Sequence, residues 1–401
     1  PIPLSDVLPI LENLGLHIVN ERPYELHLSG GQRLWIQDFD MQPAQGGEID
    51  LERVRALFEE AFQRTLEGDA ENDGFNRLVI ASQMHWRQVA VLRAYCKYLL
   101  QTNIPFSPAY MADAITRHPG MSRLLVEMFE ARFDPARESE SRETSETAQR
   151  RLGSLLQSIC ADDCGSDPAL AGFVDDLVAA RKGSRVAQIE AAGRLVERGR
   201  QFVASLDEDR ILFAVHEVIN ATLRTSFFQK DEEGGPRPYV SFKIDSSALP
   251  DLPRPRPFRE IWVYSPRFEG VHLRGGMIAR GGLRWSDRRE DFRTEVLGLM
   301  KAQNVKNTMI VPVGAKGGFV VKRPPPEGGR EAVFAEGVSC YTSFINGLLD
   351  ITDNLVKDRV VPPDDVVRLD GDDPYLVVAA DKGTATFSDT ANGVAAEHGH
   401  W

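Results

Sequence analysis

The chain has 401 residues, 42% of them hydrophobic and 26% charged, which excludes a disordered chain and allows a sizeable buried core in two or three domains. A formal net charge of −12 and a pI near 5.3 exclude nucleic acid as the main partner, and no apolar run reaches the length of a membrane span. Four cysteines, Cys96, Cys160, Cys164 and Cys340, are too few for a disulfide scaffold and fit a reducing cytoplasm. The chain opens on Pro1 with nothing that reads as a signal peptide, which predicts a cut or processed start.

Residues 4–14 read as a short helix capped by Ser5 or Asp6. Strand-like runs follow at His17–Asn20, Tyr24–Leu28 and Arg33–Phe39, with Gly30 and Gly31 as the turn. The period then becomes helical. Leu51, Val54, Leu57, Phe58, Ala61 and Phe62 form one apolar stripe ended near Gly68, and Trp86, Val89, Leu92, Cys96 and Leu99 form a longer one. Ser107 and Pro108 are a cap and a first-turn proline, and Leu124, Leu125, Met128 and Phe129 mark a fourth helix. Residues 136–151 read as an exposed linker or helix start, the apolar pattern resumes at Leu152–Ile159, and a last helix spans Asp207–Phe227. The run from Asp231 to Pro238 breaks the helices and predicts a domain boundary. Beyond it, strands are expected at Tyr239–Asp245, Glu260–Ser265, Val271–Arg274, Asn307–Val313, Phe319–Lys322 and Tyr375–Ala380, with helices near Asp291–Asn304 and Glu331–Leu349. The last strand is a continuous apolar run, as in a strand covered on both faces.

Residues 271–323 hold eleven basic and four acidic residues, a basic block in an acidic chain and so a candidate anion site. Three glycine pairs lie there, each beside a cation: Arg274 with Gly275 and Gly276, Arg280 with Gly281 and Gly282, Lys316 with Gly317 and Gly318. Glycine lets a ligand approach the backbone, and a neighbouring cation then meets a carboxylate or phosphate. Two or three such cations suit a substrate with two anionic groups. Arg280 stays charged at any working pH and anchors; a lysine such as Lys316 can act as a base where burial and neighbouring cations favour the neutral amine. Asp381 ends the apolar strand, where α/β proteins place ligands and chemistry. From pattern alone a strand-end or helix-cap role for Asp381 is favoured over that of general acid or base. There is no G-x-G-x-x-G, and Gly282 stands where a phosphate loop needs lysine. Cys160 and Cys164 have no nearby histidine, so no metal site is expected.

Ala-Arg-Gly-Gly-Leu-Arg (279–284), Val-Lys-Asn-Thr (305–308), Val-Gly-Ala-Lys-Gly-Gly (313–318) and Ala-Asp-Lys-Gly-Thr-Ala-Thr-Phe-Ser-Asp-Thr-Ala-Asn (380–392) resemble, in order, the catalytic region of the large bacterial NAD-specific glutamate dehydrogenases. Residues 71–78 and 86–95 resemble that family's helical region, and 1–45 one of its ACT-like modules without its first strand. The resemblance implies a multidomain α+β and α/β fold: a truncated ACT-like unit at 1–48, a helical domain at 49–235 and an incomplete α/β substrate domain at 236–401, with the NAD-binding Rossmann domain absent and the cofactor-contacting residues therefore unknown.

The resemblance also implies a reaction, oxidative deamination of L-glutamate to 2-oxoglutarate and ammonium with hydride transfer to NAD. Lys316 matches the catalytic lysine and Asp381 the aspartate that moves a proton at the substrate nitrogen. Lys306 matches the lysine that binds the α-carboxylate. Arg280 lies where smaller enzymes hold the side-chain carboxylate with a lysine, and Gly281 and Gly282 flank that position. A cytoplasmic homo-oligomer is implied, and the piece by itself is expected to be inactive. The alternative is a non-catalytic regulatory or scaffold piece that binds an effector or partner. The two are separated by whether Lys306, Lys316 and Asp381 converge.

Overall fold

A computed structural model describes residues 2–44, 46, 49–137, 153–154, 168–306 and 313–400. Helix α1 (Leu4–Asn13) starts one residue ahead of the expected cap, so Ser5 and Asp6 sit inside its first turn and Pro3, at the cap position, offers no side-chain bond. Strands β1 (Leu16–His27) and β2 (Arg33–Pro43) pair as an antiparallel ribbon longer than expected. Gly30 and Gly31 turn it at φ 108° and 80°, angles that favour glycine. Leu16 and α1 bury a small core with Phe58 and Phe62. The far part of the ribbon leaves Tyr24, Leu34, Trp35 and Ile36 exposed.

The helical layer begins with α2 (Leu51–Glu67). The Asp50 carboxylate accepts from the Arg53 amide at its start, and Gly68, in the left-handed region, ends it. A short 3-10 turn leads into α3 (Leu78–Ala81). Helix α4 (Trp86–Leu100) is capped by His85, a structural histidine. Ser107 and Pro108 open α5 (Pro108–Arg117) as expected, and α6 (Pro119–Phe133), α7 (Pro168–Ala180), α8 (Arg185–Arg200) and α9 (Leu206–Ala221) complete the layer. In its middle Glu127, with no exposed side-chain surface, meets Arg137 at 2.9 Å and Arg181 at 2.8 Å. The linker read at 136–151 and the pattern at Leu152–Ile159 fall almost wholly outside the described residues.

Helix α9 stops at Ala221 rather than running to Phe227. Thr222–Thr225 is strand β3, because the Thr-Leu-Arg-Thr run pairs antiparallel with β4 (Val240–Ile244). The sheet therefore begins ahead of the break at 231–238. Strands β5 (Arg259–Tyr264), β6 (Phe268–Arg274), β7 (Gly281–Trp285) and β8 (Ala315–Val321) follow; β9 (Asn354–Val356) and β10 (Arg359–Val361) form a separate small hairpin, and β11 (Val378–Ala380) closes the main sheet. Its order is β11-β7-β8-β6-β5-β4-β3. Pairing is antiparallel from β3 through β6 to β8 and parallel from β8 through β7 to β11.

Helix α10 (Phe292–Lys306) connects β7 to β8. With the helical layer it covers one sheet face: the Trp262 indole donates to the Ala94 carbonyl at 3.1 Å, and Tyr95 lies 4.7 Å from Phe242. Helices α11 (Gly329–Leu349) and α12 (Ser388–Glu397) cover the other, where Leu283 and Phe319 pack with Tyr341 and Phe344.

Other strand expectations change too: β6 begins at Phe268, three residues ahead of the expected Val271, and β9 and β10 were not expected. The strand read at Phe319 begins at Ala315, so Lys316 and its glycines lie within β8 and not in a loop. Strand β7 was not expected. The run Tyr375–Ala380 pairs only at Val378–Ala380 among the described residues, and Ala379 and Ala380 are exposed, because β11 has β7 as its one neighbour there. The strand read at Asn307–Val313 falls almost entirely outside the described residues.

Candidate functional site

Side chains alternate along a strand, and the register decides what meets. Leu283 of β7 pairs with Gly317 of β8 on one side and with Ala380 of β11 on the other. Gly282 and Arg284 therefore share the α10 face with Lys316 and with the residue that follows β11, Asp381. Lys316 Nζ lies 2.5 Å from Asp381 Oδ2, with the lysine side chain 7% exposed and the aspartate 23%. Strand β7 runs between them, and the contact crosses it where Gly282 has no side chain.

Asp381 is held from several directions. Arg284 Nε donates to Oδ2 at 3.3 Å. Its own amide donates to the Thr384 hydroxyl at 3.0 Å, and that hydroxyl donates to the Leu283 carbonyl at 2.7 Å. Burial pushes the Asp381 carboxyl up, but the Lys316 hydrogen bond, the Lys382 amide and the charges of Lys316 and Arg284 outweigh it and hold the group below its ordinary value. Glu295 of α10 takes Arg284 Nη1 at 2.7 Å and the Ser286 hydroxyl at 2.6 Å. Among the described residues the charged group touching Lys316 is thus a carboxylate.

The glycines have a packing role. A Cβ at Gly281 would stand 1.5 Å from the Ala315 carbonyl oxygen, at Gly317 2.2 Å from Leu283 Cδ2, and at Gly318 2.7 Å from Val296 Cγ2. At Gly282 it would stand 2.9 Å from the Ala380 carbonyl oxygen and 3.1 Å from Asp381 Cβ. The density of glycine is accounted for by the close approach of β7 to its neighbours and to α10.

Of the expected cations, Arg280 is exposed at the entry to β7 with no ion-pair partner among the described residues. Lys306 ends α10, and its side chain lies outside the described residues. Arg274 is not available to a ligand. It is 3% exposed and engaged with Asp373 and with the Tyr375 carbonyl, and Asp373, which also meets Lys243 at 2.7 Å, is pulled down to about 2 by these cations against the effect of burial. With Arg224, which binds Asp353 and Asp370, this cluster pins the irregular segment that leads to β11. Convergence is therefore met for Lys316 and Asp381.

Sequence reasoning did not single out Arg284, Ser286, Glu295 or Thr384. The signal for Arg284 was present, since it stands two residues from Gly282 on a strand. Glu295 lies on the next element, α10, eleven residues from Arg284, and its spacing gave none. An open groove of about 450 Å³ is lined by Trp285, Pro325, Arg330 and Phe334, but neither Lys316 nor Asp381 is in its walls; the pair sits on the other face of β7 and β8.

A family model described as bacterial NAD-glutamate dehydrogenase, catalytic domain, matches residues 196–401. Models of glutamate dehydrogenase helical motif 3 and of its ACT3 domain match 70–135 and 1–54. The chain is 51% identical over all 401 residues to the NAD-specific glutamate dehydrogenase of Pseudomonas aeruginosa and 50% identical to that of Halomonas elongata, spanning 22% of each relative. It is 45% identical over 411 residues to the Mycobacterium tuberculosis protein of the same name, covering 99% of this chain and 23% of that one. The chain thus spans under a quarter of the relatives it matches.

Proposed function

Because the chain belongs to the bacterial NAD-glutamate dehydrogenase family, we propose that it supplies the substrate side of an enzyme that converts L-glutamate, NAD⁺ and water into 2-oxoglutarate, ammonium, NADH and a proton. The contact of Lys316 with Asp381 at 2.5 Å supports this reading most directly. A lysine and a carboxylate on one sheet face, beside an arginine with no ion-pair partner among the described residues, suit an acid–base pair next to an anion anchor.

In this reading Arg280 and Lys306 hold the two carboxylates, and Gly281 and Gly282 let β7 pack closely enough on its neighbours for Lys316 to meet Asp381. The Lys316 ammonium polarises the oxygen at the 2-position and positions water against the same carbon. Asp381, ionised at neutral pH, takes a proton from the substrate nitrogen and returns it to the leaving ammonia. Arg284 and Thr384 fix the Asp381 carboxylate. NAD, when bound, would supply the hydride acceptor. The glycine-rich run at 275–282 leads into a strand and does not open a helix, so it does not fit a dinucleotide loop, and no residue of this chain is assigned to the nucleotide.

No helix among the described residues is long and apolar enough to cross a membrane. With the cysteine usage and acidic charge, this supports a cytoplasmic enzyme of amino acid catabolism with no nucleic-acid partner; the family supports a homo-oligomer. The test is NADH formation from glutamate by the intact protein. Lys316→Met and Asp381→Asn are each expected to lower kcat by about 10²- to 10⁴-fold in protein that a cooperative thermal transition shows to be folded. Retention of kcat within tenfold in both would leave the scaffold reading in its place.

A further inference from the structure

The Lys316–Asp381 pair lies on the sheet, yet one of its supports starts in the helical layer. Gln101 follows the last residue of α4 and is 4% exposed. Its side-chain Nε2 donates to the Arg289 carbonyl at 2.9 Å, and its Oε1 accepts from the Arg293 amide at 3.2 Å. Arg289 lies in the turn from β7 to α10, and Arg293 is the second residue of α10. The first amides of a helix have no partner inside it, and Arg293 is wholly buried, so the acceptor comes from another layer. Tyr98, one turn earlier on α4, donates to Glu260 at 3.3 Å, and Glu260 binds the Arg293 guanidinium at 2.8 Å.

The last turn of α4 therefore holds the start of α10 by its backbone and by its arginine. Residues 287–290 of the turn are exposed. Arg288 within it bonds locally, its amide to the Ser286 hydroxyl at 3.1 Å and its Nε to Asp291 at 2.9 Å, whereas Gln101 ties the turn to the helical layer. From there the way to the site is short. Glu295, two residues after Arg293, accepts from Arg284 Nη1 at 2.7 Å, and Arg284 Nε donates to Asp381 at 3.3 Å. The charged groups facing Asp381 are Lys316 of β8 and Arg284 of β7, with Glu295 of α10 behind the arginine.

We propose that Gln101 is a positioning residue of this site: by holding the start of α10 from the helical layer, it keeps Glu295 on Arg284 and Arg284 on Asp381, so turnover depends on how α4 is seated. The inference rests on the reading of Lys316 and Asp381 as the acid–base pair. The test is NADH formation from glutamate by the intact protein, with kcat followed across pH, in Gln101→Met, Arg284→Met and the two combined. Methionine is of similar length and offers no amide to Arg289 or Arg293. Gln101→Met is expected to lower kcat about 10- to 100-fold, as a displacement of about 1 Å arising far from the chemistry does, and to change KM less. A looser Arg284 lets the Asp381 carboxyl rise, so the acid limb of kcat should move to higher pH. In the Arg284→Met background, with no grip left to lose, Gln101→Met should add little. Gln101→Asn, one methylene shorter, stands in if Gln101→Met fails to fold, with the same directions expected. Lys316→Met separates two failures. If it keeps wild-type kcat, the acid–base reading itself falls. If it abolishes turnover while a folded Gln101 variant keeps wild-type kcat, the role of Gln101 alone falls. A lower melting temperature with an unmoved acid limb, or effects that multiply in the double variant, would also overturn the proposal.

Discussion

Gly282 shows how much of the candidate site depends on the absence of a side chain. A methyl group there meets the Ala380 carbonyl oxygen at 2.9 Å and Asp381 Cβ at 3.1 Å, so β11 and Asp381 must move away from Lys316. Gly282→Ala is expected to cost about 1–3 kcal/mol of stability, the usual price of overpacking, and to lower kcat at least tenfold. Steady-state kinetics beside thermal unfolding checks this; an unchanged kcat would show that the lysine–aspartate contact is not needed. If Arg280 anchors a substrate carboxylate as proposed, Arg280→Met removes a charge-assisted contact of about 1.5–3 kcal/mol. It should raise KM for glutamate about 10- to 100-fold and leave kcat less affected. The residue types at these positions were legible in the sequence because cations, glycines and a strand-end aspartate carry their chemistry in their identity. What was not legible was the reason for the glycines, because the atoms that exclude a side chain come from strands distant in the chain.

At the scale of elements, α10 reaches the site through a chain of ion pairs. Arg293 in its first turn bonds Glu260 of β5 at 2.8 and 2.5 Å, with neither side chain exposed. Tyr98 and the Ser246 hydroxyl complete the glutamate's partners. Two residues on, Glu295 grips Arg284, which grips Asp381. Glu260→Gln is expected to destabilise by about 3 kcal/mol, as breaking a buried pair does. The helical layer offers a pH test. Burial would raise the Glu127 carboxyl, but Arg137, Arg181 and Arg123 pull it from 4.5 to about 2. A depressed folded value means that the stabilisation is complete above about 4.5 and is lost as pH falls toward 2. Denaturant unfolding of wild type and Glu127→Gln should therefore differ by a constant amount above pH 5, with the gap closing below pH 4.5. A gap independent of pH down to 3 would contradict this. Helix positions were readable because an apolar stripe every 3.6 residues is a local signal. The end of α9 and strand β7 were not, because β3 and β7 exist through pairing with strands far along the chain.

For the molecule as a whole, the helical layer and the sheet share one core. Trp262, Phe242 and Tyr264 of the sheet belong to the same cluster as Tyr95, Leu99 and Phe129 of the helices, and Lys322 after β8 bonds Glu71 of the helical layer. Unfolding of these two parts is expected as a single calorimetric transition with matching van't Hoff and calorimetric enthalpies; two resolved transitions would refute the shared core. The β1–β2 ribbon, exposed along most of its length, should exchange its amide hydrogens ahead of both. The boundary drawn from composition at 231–238 falls after the helices have ended at Ala221, in the connection between β3 and β4. It does not mark a break in packing, because the core is assembled across it.

The close fit of β7 and β8 has a genetic consequence. Every glycine codon becomes alanine, valine, an acidic residue or arginine by one base change, and each of these adds a Cβ. At Gly281, Gly282, Gly317 and Gly318 that atom has nowhere to go. Loss-of-function alleles should therefore gather in two short stretches of the gene, most of them at codons whose residues never touch the reacting atoms.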